Sequence, residues 1–192
     1  MAILMQMHWR GVTPEQYDDA RRVVGWEVTP AAGGRLHVAW FDDGLRVWDV
    51  WDTADAFDAF VQQRLMPGVA TVGIQGEPDV AIKPAHYFQV EVTAAASGAL
   101  AGGPFPSASA YDALAAKVDW AGEPPAGGLC HIAARNDDGS IDTIAAWTTD
   151  ADNERFLNGR IADAAAALGL APDALPTVER YYPIHAIWAP PR

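Results

Sequence analysis

The chain has 192 residues, with 13 Lys plus Arg against 25 Asp plus Glu and a formal net charge of −12; at roughly 100–200 residues per domain, that is one ordinary domain or two very small ones. No Lys/Arg cluster offers the basic stripe that neutralising phosphates requires, which argues against a nucleic-acid partner. The single cysteine, Cys130, allows no internal disulfide and no CxxC, the apolar stretches fall short of the ~20 residues of a membrane span, and Met1–Met7 lacks a basic leader region, so the expectation is a cytoplasmic protein with no membrane partner.

Ile3–Trp9 is apolar enough for a strand. Thr13-Pro14-Glu15-Gln16 reads as a helix start, with Thr at the N-cap, Pro at N1 and Gln at N3. Leu36–Phe41 and Leu45–Trp51 flank Asp42-Asp43-Gly44, a hairpin signal. Thr53 caps a second helix carrying Phe57, Phe60, Val61 and Leu65, with Pro67 disturbing its later part and Gly73 marking its end; Val80–Val90 supplies a closing strand. The order βαββαβ is the split βαβ, or ferredoxin-like, unit.

That unit occurs twice. At an offset of 94, Tyr17 meets Tyr111, Asp18 meets Asp112, Trp26 meets Trp120, Gly33-Gly34 meets Gly127-Gly128 and His37 meets His131. After the Gly44/Gly139 turn the offset becomes 96 and brings Trp51 onto Trp147, Phe60 onto Phe156 and Arg64 onto Arg160. A last step to 99 pairs Pro84 with Pro183 and His86 with His185. Both insertions fall in turn-like stretches, near Asn136–Ser140 and near Ala171–Pro176, as a duplication predicts. The organisation is therefore a first repeat over 1–93, a Gly/Ala/Ser/Pro-rich linker over 94–106 and a second repeat over 107–192. The linker is a poor candidate for the second repeat's first strand, which either comes from Tyr87–Thr93 or has been eroded.

The phrases Gly11-Val12-Thr13-Pro14-Glu15-Gln16-Tyr17-Asp18, Leu36-His37-Val38-Ala39, Asp43–Trp51 with Ala56-Phe57-Asp58-Ala59-Phe60, and Pro84-Ala85-His86-Tyr87-Phe88 resemble the dimeric α+β barrel superfamily, which includes the antibiotic-biosynthesis-type monooxygenases. The resemblance covers nearly the whole chain, twice. It implies an α+β fold in which two tandem ferredoxin-like βαββαβ repeats form an intrachain pseudo-dimeric α+β barrel, with a cavity between facing sheets. The superfamily hosts cofactor-free oxygenases, cyclases, isomerases, dehydratases, haem enzymes and proteins of no known activity, so the fold alone names no reaction.

Strand alternation sorts the residues by face. Leu36, Val38, Trp40, Trp48 and Val50 form the set expected under the helices, which leaves Arg35, His37, Ala39, Phe41, Val47, Asp49 and Trp51 for the cavity. A three-residue loop with Gly44 as a left-handed bulge pairs Phe41 with Leu45, Val38 with Trp48 and His37 with Asp49. A carboxylate on one imidazole nitrogen fixes the tautomer and raises the basicity of the other, which suits a general base; the alternative is a satisfied polar pair with no catalytic role. Asp49 corresponds to Ala145 in the second repeat, so a single active site belongs to the first.

His37 and Asp49 are thus the candidate catalytic residues, and Arg35, Trp51, His86, His131, Trp147 and His185 the candidate substrate-binding residues. The outer strands of one unit lie about 14 Å apart, so facing sheets would bring His185 toward His37 and His86 toward His131. Arg64 and Arg160 read as solvent-facing partners of acids, His8 as a surface or rim residue, and Cys130 as core. No HxH, HExxH or carboxylate cluster offers a metal site. No cofactor is called for, though haem stays open. The preferred function is a cofactor-independent oxygenase or cyclase with a His–Asp base, acting on a small apolar, aromatic or polyketide-like molecule. The alternatives are a non-catalytic ligand-binding or stress-related protein and a haem enzyme. The expected assembly is a monomer acting as an internal pseudo-dimer, with higher oligomers left open.

Overall fold

A computed structural model describes residues 1–92, 98–105, 107–171, 175, 178 and 180–191. The chain forms two compact units, one built on Met1–Pro84 and the strand end beginning at Ile184, the other on Ala85–Val92 and the stretch ending at Pro183. The repeat-related prolines Pro84 and Pro183 therefore mark where the last strand of each repeat passes from one unit to the other. The units are not the bare repeats.

Unit 1 contains β1 (Ile3–Trp9), α1 (Pro14–Val24), β2 (Gly34–Phe41), β3 (Leu45–Trp51), α2 (Ala54–Phe60), a π-helical turn (Val61–Leu65), α3 (Met66–Val72) and the first half of β4 (Asp79–Val90). Its antiparallel sheet runs β4–β1–β3–β2 and takes in the end of β8 (Tyr182–Trp188) beside β2. The start of α1 is the expected capping box: the Thr13 hydroxyl accepts from Gln16 N–H, the Gln16 side chain accepts from Thr13 N–H, and Gly25 closes the helix in the left-handed conformation. Tyr17, Ala20 and Val24 form its buried stripe at helical spacing. Pro67 does not end the second helical run. It lies in the first turn of α3, where a missing N–H is tolerated, and Gly73 terminates the run at φ 77°. The hairpin has the expected register, Phe41 to Leu45, Val38 to Trp48 and His37 to Asp49. Its Gly44, at φ 112°, is required twice over, because a Cβ there would stand 2.7 Å from the Trp9 carbonyl oxygen.

The helices cover the face opposite to the one expected. Ile3, Met5, Trp9, Ala39, Val47 and Trp51 pack with Tyr17, Ala20, Val24, Phe57 and Val69 in one core, so His37 and Asp49 lie under the helices, on the Trp51 face. Leu4, Leu36, Val38 and Val50, on the other face, are also buried. Sorting by apolarity failed because both faces are buried, and the more aliphatic one is not the one that meets the helices.

Unit 2 repeats the plan with the rest of β4, β5 (Ala99–Phe105), α4 (Ala108–Val118), β6 (Gly128–Arg135), β7 (Ile141–Trp147), α5 (Asp150–Phe156), a π-helical turn (Leu157–Ile161), α6 (Ala162–Leu168) and the start of β8. Its sheet order is β4–β6–β7–β5–β8. The missing first strand is β5, inside the stretch read as a linker; of that stretch, 94–97 and 106 lie outside the described residues. Composition misled because Gly102-Gly103-Pro104 reads as loop. Yet β5 pairs with β7 along its whole length and with β8 at Ala99 and Leu100, so Pro104 sits where β7 is the partner shown, a position at which a sheet tolerates a lost N–H.

Candidate active site

β2 and β3 place His37 and Asp49 directly opposite each other, and α1 points the first residue of its buried stripe at the same spot. The Asp49 carboxylate lies 2.7 Å from His37 Nδ1, and the Tyr17 hydroxyl lies 2.6 Å from His37 Nε2. With Nδ1–H donating to the carboxylate, Nε2 accepts from the Tyr17 O–H. The three side chains form one chain of short hydrogen bonds, and their setting is dry: the His37 and Asp49 side chains are 13% and 10% exposed. Burial pushes the Tyr17 hydroxyl well above the usual phenol range, so it stays protonated. The three border a cavity of about 220 Å³ whose walls include Trp26, Trp51, Phe57, Phe60 and Trp188.

Arg35 and Trp51 also border this cavity, Arg35 at the rim with its Nε donating to Asp52 at 2.7 Å. His185 and His86 do not line the two cavities described here. Each is the extra residue of a β-bulge, His185 between Ile184 and Ala186 and His86 between Ala85 and Tyr87. A bulge re-aims a side chain, and each imidazole meets the Tyr-Asp pair of a first helix. His185 Nε2 bonds Asp18 at 2.9 Å, with its ring 5.2 Å from Tyr17; His86 Nε2 bonds Asp112 at 2.6 Å, with its ring 5.6 Å from Tyr111. Each expected histidine pair thus converges on one tyrosine. Tyr17 is the residue that sequence reasoning missed, although the repeated Tyr-Asp dipeptide and the repeated histidines together point to it.

Three further expectations change or hold. Arg64 donates to the Val24 carbonyl at 2.8 Å, and Arg160 to the carbonyls of Val118, Asp119 and Glu123, so each serves a carbonyl left orphaned at the end of a first helix; Arg160 also has the expected acid partner, the Glu123 carboxylate at 3.6 Å. His8 is buried and bonds the Asp43 carbonyl at 2.7 Å. Cys130 is buried, and burial pushes its thiol up to about 12.

In unit 2, His131 and Trp147 border a second cavity, also of about 220 Å³. The Tyr111 hydroxyl lies 2.9 Å from His131 Nε2, but Ala145 faces His131 where Asp49 faces His37. Burial without a carboxylate drives His131 down to about 4. Between the ordinary value near 6.5 and 4 the unfolded chain binds a proton that the folded chain refuses, so stability falls as pH falls through that window, by up to about 3 kcal/mol. Urea melts at graded pH should show this slope, and His131→Gln should flatten it.

Each unit also buries two indole N–H groups that have no hydrogen-bond partner among the described residues, on Trp26 and Trp51 in unit 1 and on Trp120 and Trp147 in unit 2. All four tryptophans border the cavities. An unsatisfied buried donor costs roughly 1–3 kcal/mol, and the duplication carries that cost at matching positions.

No family model matches the sequence, and no curated protein matches it. Solved structures do match. A candidate monooxygenase from Lactobacillus acidophilus NCFM superposes with a TM-score of 0.68 at 10% identity, covering 98% of this chain and 96% of that one. A second candidate monooxygenase, from Fusobacterium nucleatum subsp. nucleatum ATCC 25586, gives 0.66 at 8% identity over 98% and 94%. An anthrone oxidase-like protein gives 0.52 at 9% identity over 98% and 92%. The fold is that of the antibiotic-biosynthesis-monooxygenase-like ferredoxin-fold proteins. At these identities the likeness shows architecture, and the chemistry must come from the residues. No helix among the described residues is long and apolar enough to cross a membrane.

Proposed function

We propose that the protein is a cofactor-independent enzyme that removes a proton from a small aromatic or polyketide-like molecule in the unit 1 cavity, generating an anion that reacts with oxygen or closes a ring. The observation that carries this reading is the Asp49–His37–Tyr17 chain, set in an aromatic wall. His37 Nε2 already accepts a hydrogen bond from the Tyr17 hydroxyl, so the base works through the hydroxyl: as the substrate gives a proton to the Tyr17 oxygen, the Tyr17 proton passes to Nε2, and Asp49 balances the imidazolium. The concerted route matters because a buried Tyr17 does not rest as a phenolate. The Trp26 and Trp51 rings, which border the cavity, give an aromatic wall for the bound molecule to pack against.

Haem does not fit these residues. An axial imidazole must present a free nitrogen to iron, whereas Nε2 of His8, His37, His86, His131 and His185 is in each case hydrogen-bonded within its own unit. The buried Cys130 thiol is a core residue in a chain we assign to the reducing cytoplasm, and the partner is the small molecule itself.

The likeness to an anthrone oxidase-like fold suggests the first assay. With anthrone, loss of the methylene proton gives an enolate, and one O₂ then yields the quinone and one water. Oxygen uptake with quinone formation by the purified protein, without added metal or cofactor, is the expected result. Absence of turnover with anthrone and with other acidic hydroxyaromatics would overturn the reading.

A further inference from the structure

We propose that unit 2 holds a second ligand site, which binds a flat aromatic molecule bearing an acceptor oxygen without taking a proton from it. Tyr111, Trp120, His131 and Trp147 stand in the repeat at the positions of Tyr17, Trp26, His37 and Trp51, and they border a cavity of the same volume as that of unit 1. The Trp120 and Trp147 indole N–H groups are buried and unpaired among the described residues, as their counterparts are. Both rings border the cavity, and the proposed ligand's acceptor oxygen is the partner for a donor that reorients toward it.

The difference between the cavities is charge. Arg35, Asp49 and Asp58 border the first, whereas no Asp, Glu, Lys or Arg is among the described residues bordering the second; its polar groups are Tyr87, Tyr111, His131, Thr143 and Asn153. Ala145 leaves His131 with no anion to balance an imidazolium, and burial holds that ring neutral at neutral pH. The site therefore retains the neutral form of its ligand. That this ligand shares the class handled by unit 1 rests on the function proposed above.

4-Nitrophenol tests this, because it offers acceptor oxygens and its phenolate has its own absorption band. Equilibrium dialysis of the full chain near pH 7 should give two molecules bound, one as phenolate and one as phenol. Ala145→Phe should reduce this to the phenolate alone, and Ala145→Leu is the milder variant should the larger side chain impair folding. Ala145→Asp, placing a carboxylate opposite His131, should convert the second molecule to phenolate. A single molecule bound to the unaltered protein, or two still bound after both filling substitutions, would overturn the second site. One molecule bound as phenolate defeats the second site and leaves the unit 1 base standing; two bound with neither as phenolate defeats that base and supports the second site.

Discussion

His37→Ala should lower turnover about 10³-fold, while binding of a neutral aromatic ligand stays within about threefold. The imidazole is the terminus of the proton path, and its loss leaves the Tyr17 hydroxyl without the base to which it is hydrogen-bonded. Asp49→Ala should cost about 10²-fold through a different route, since the imidazolium loses its balancing charge and the ring loses the bond that fixes its tautomer. Tyr17→Phe should fall in the same range, because the ring and its packing remain while the hydroxyl that relays the proton is gone. The three effects should be far from additive, as expected for groups acting as a unit. Oxygen-uptake kinetics on the single and double variants, with ligand affinity measured in parallel, check this. Turnover untouched by the His37 and Asp49 changes would reduce the pair to a structural contact.

A large stability effect is expected at Gly102. A Cβ at this position would stand 2.2 Å from the Thr143 carbonyl oxygen and 3.1 Å from Ile144 Cα, both backbone atoms of the neighbouring strand. Neither is the movable end of a side chain. Gly102→Ala should therefore push β5 from β7 and destabilise the protein by about 3 kcal/mol, the upper part of the range for overpacking. Urea or thermal melts give the value directly. Gly139→Ala is a useful contrast, since a Cβ there has nothing within 4 Å and meets only the cost of its positive φ of 85°.

The same glycine explains where sequence reading stopped. Gly102-Gly103-Pro104 looks like a linker because its composition reports backbone freedom, whereas its role is to let two strands approach closely. The helix caps, the 42–44 turn and the His37–Asp49 register were legible because each is fixed by a few adjacent residues. The covered sheet face was not, because with both faces buried the identity of the covering element is a tertiary fact that alternation does not encode. His86 and His185 stay out of the cavities because each sits in a bulge that turns its imidazole to the Tyr-Asp pair of a first helix, and no local pattern in the sequence marks such a bulge. Tyr17 lay in the repeat alignment from the start, yet a tyrosine on an apolar helical stripe carries no sign of what its hydroxyl touches.

The most direct test of the unit 1 chain is the imidazole ¹H–¹⁵N correlation spectrum of histidine-labelled protein. His37 should appear as the Nδ1–H tautomer, with that proton shifted far downfield by the Asp49 carboxylate, the shift lost in Asp49→Ala and the Nε2 resonance altered in Tyr17→Phe. His37 observed as the Nε2–H tautomer, or with the same signals in the unaltered protein and Asp49→Ala, would contradict it.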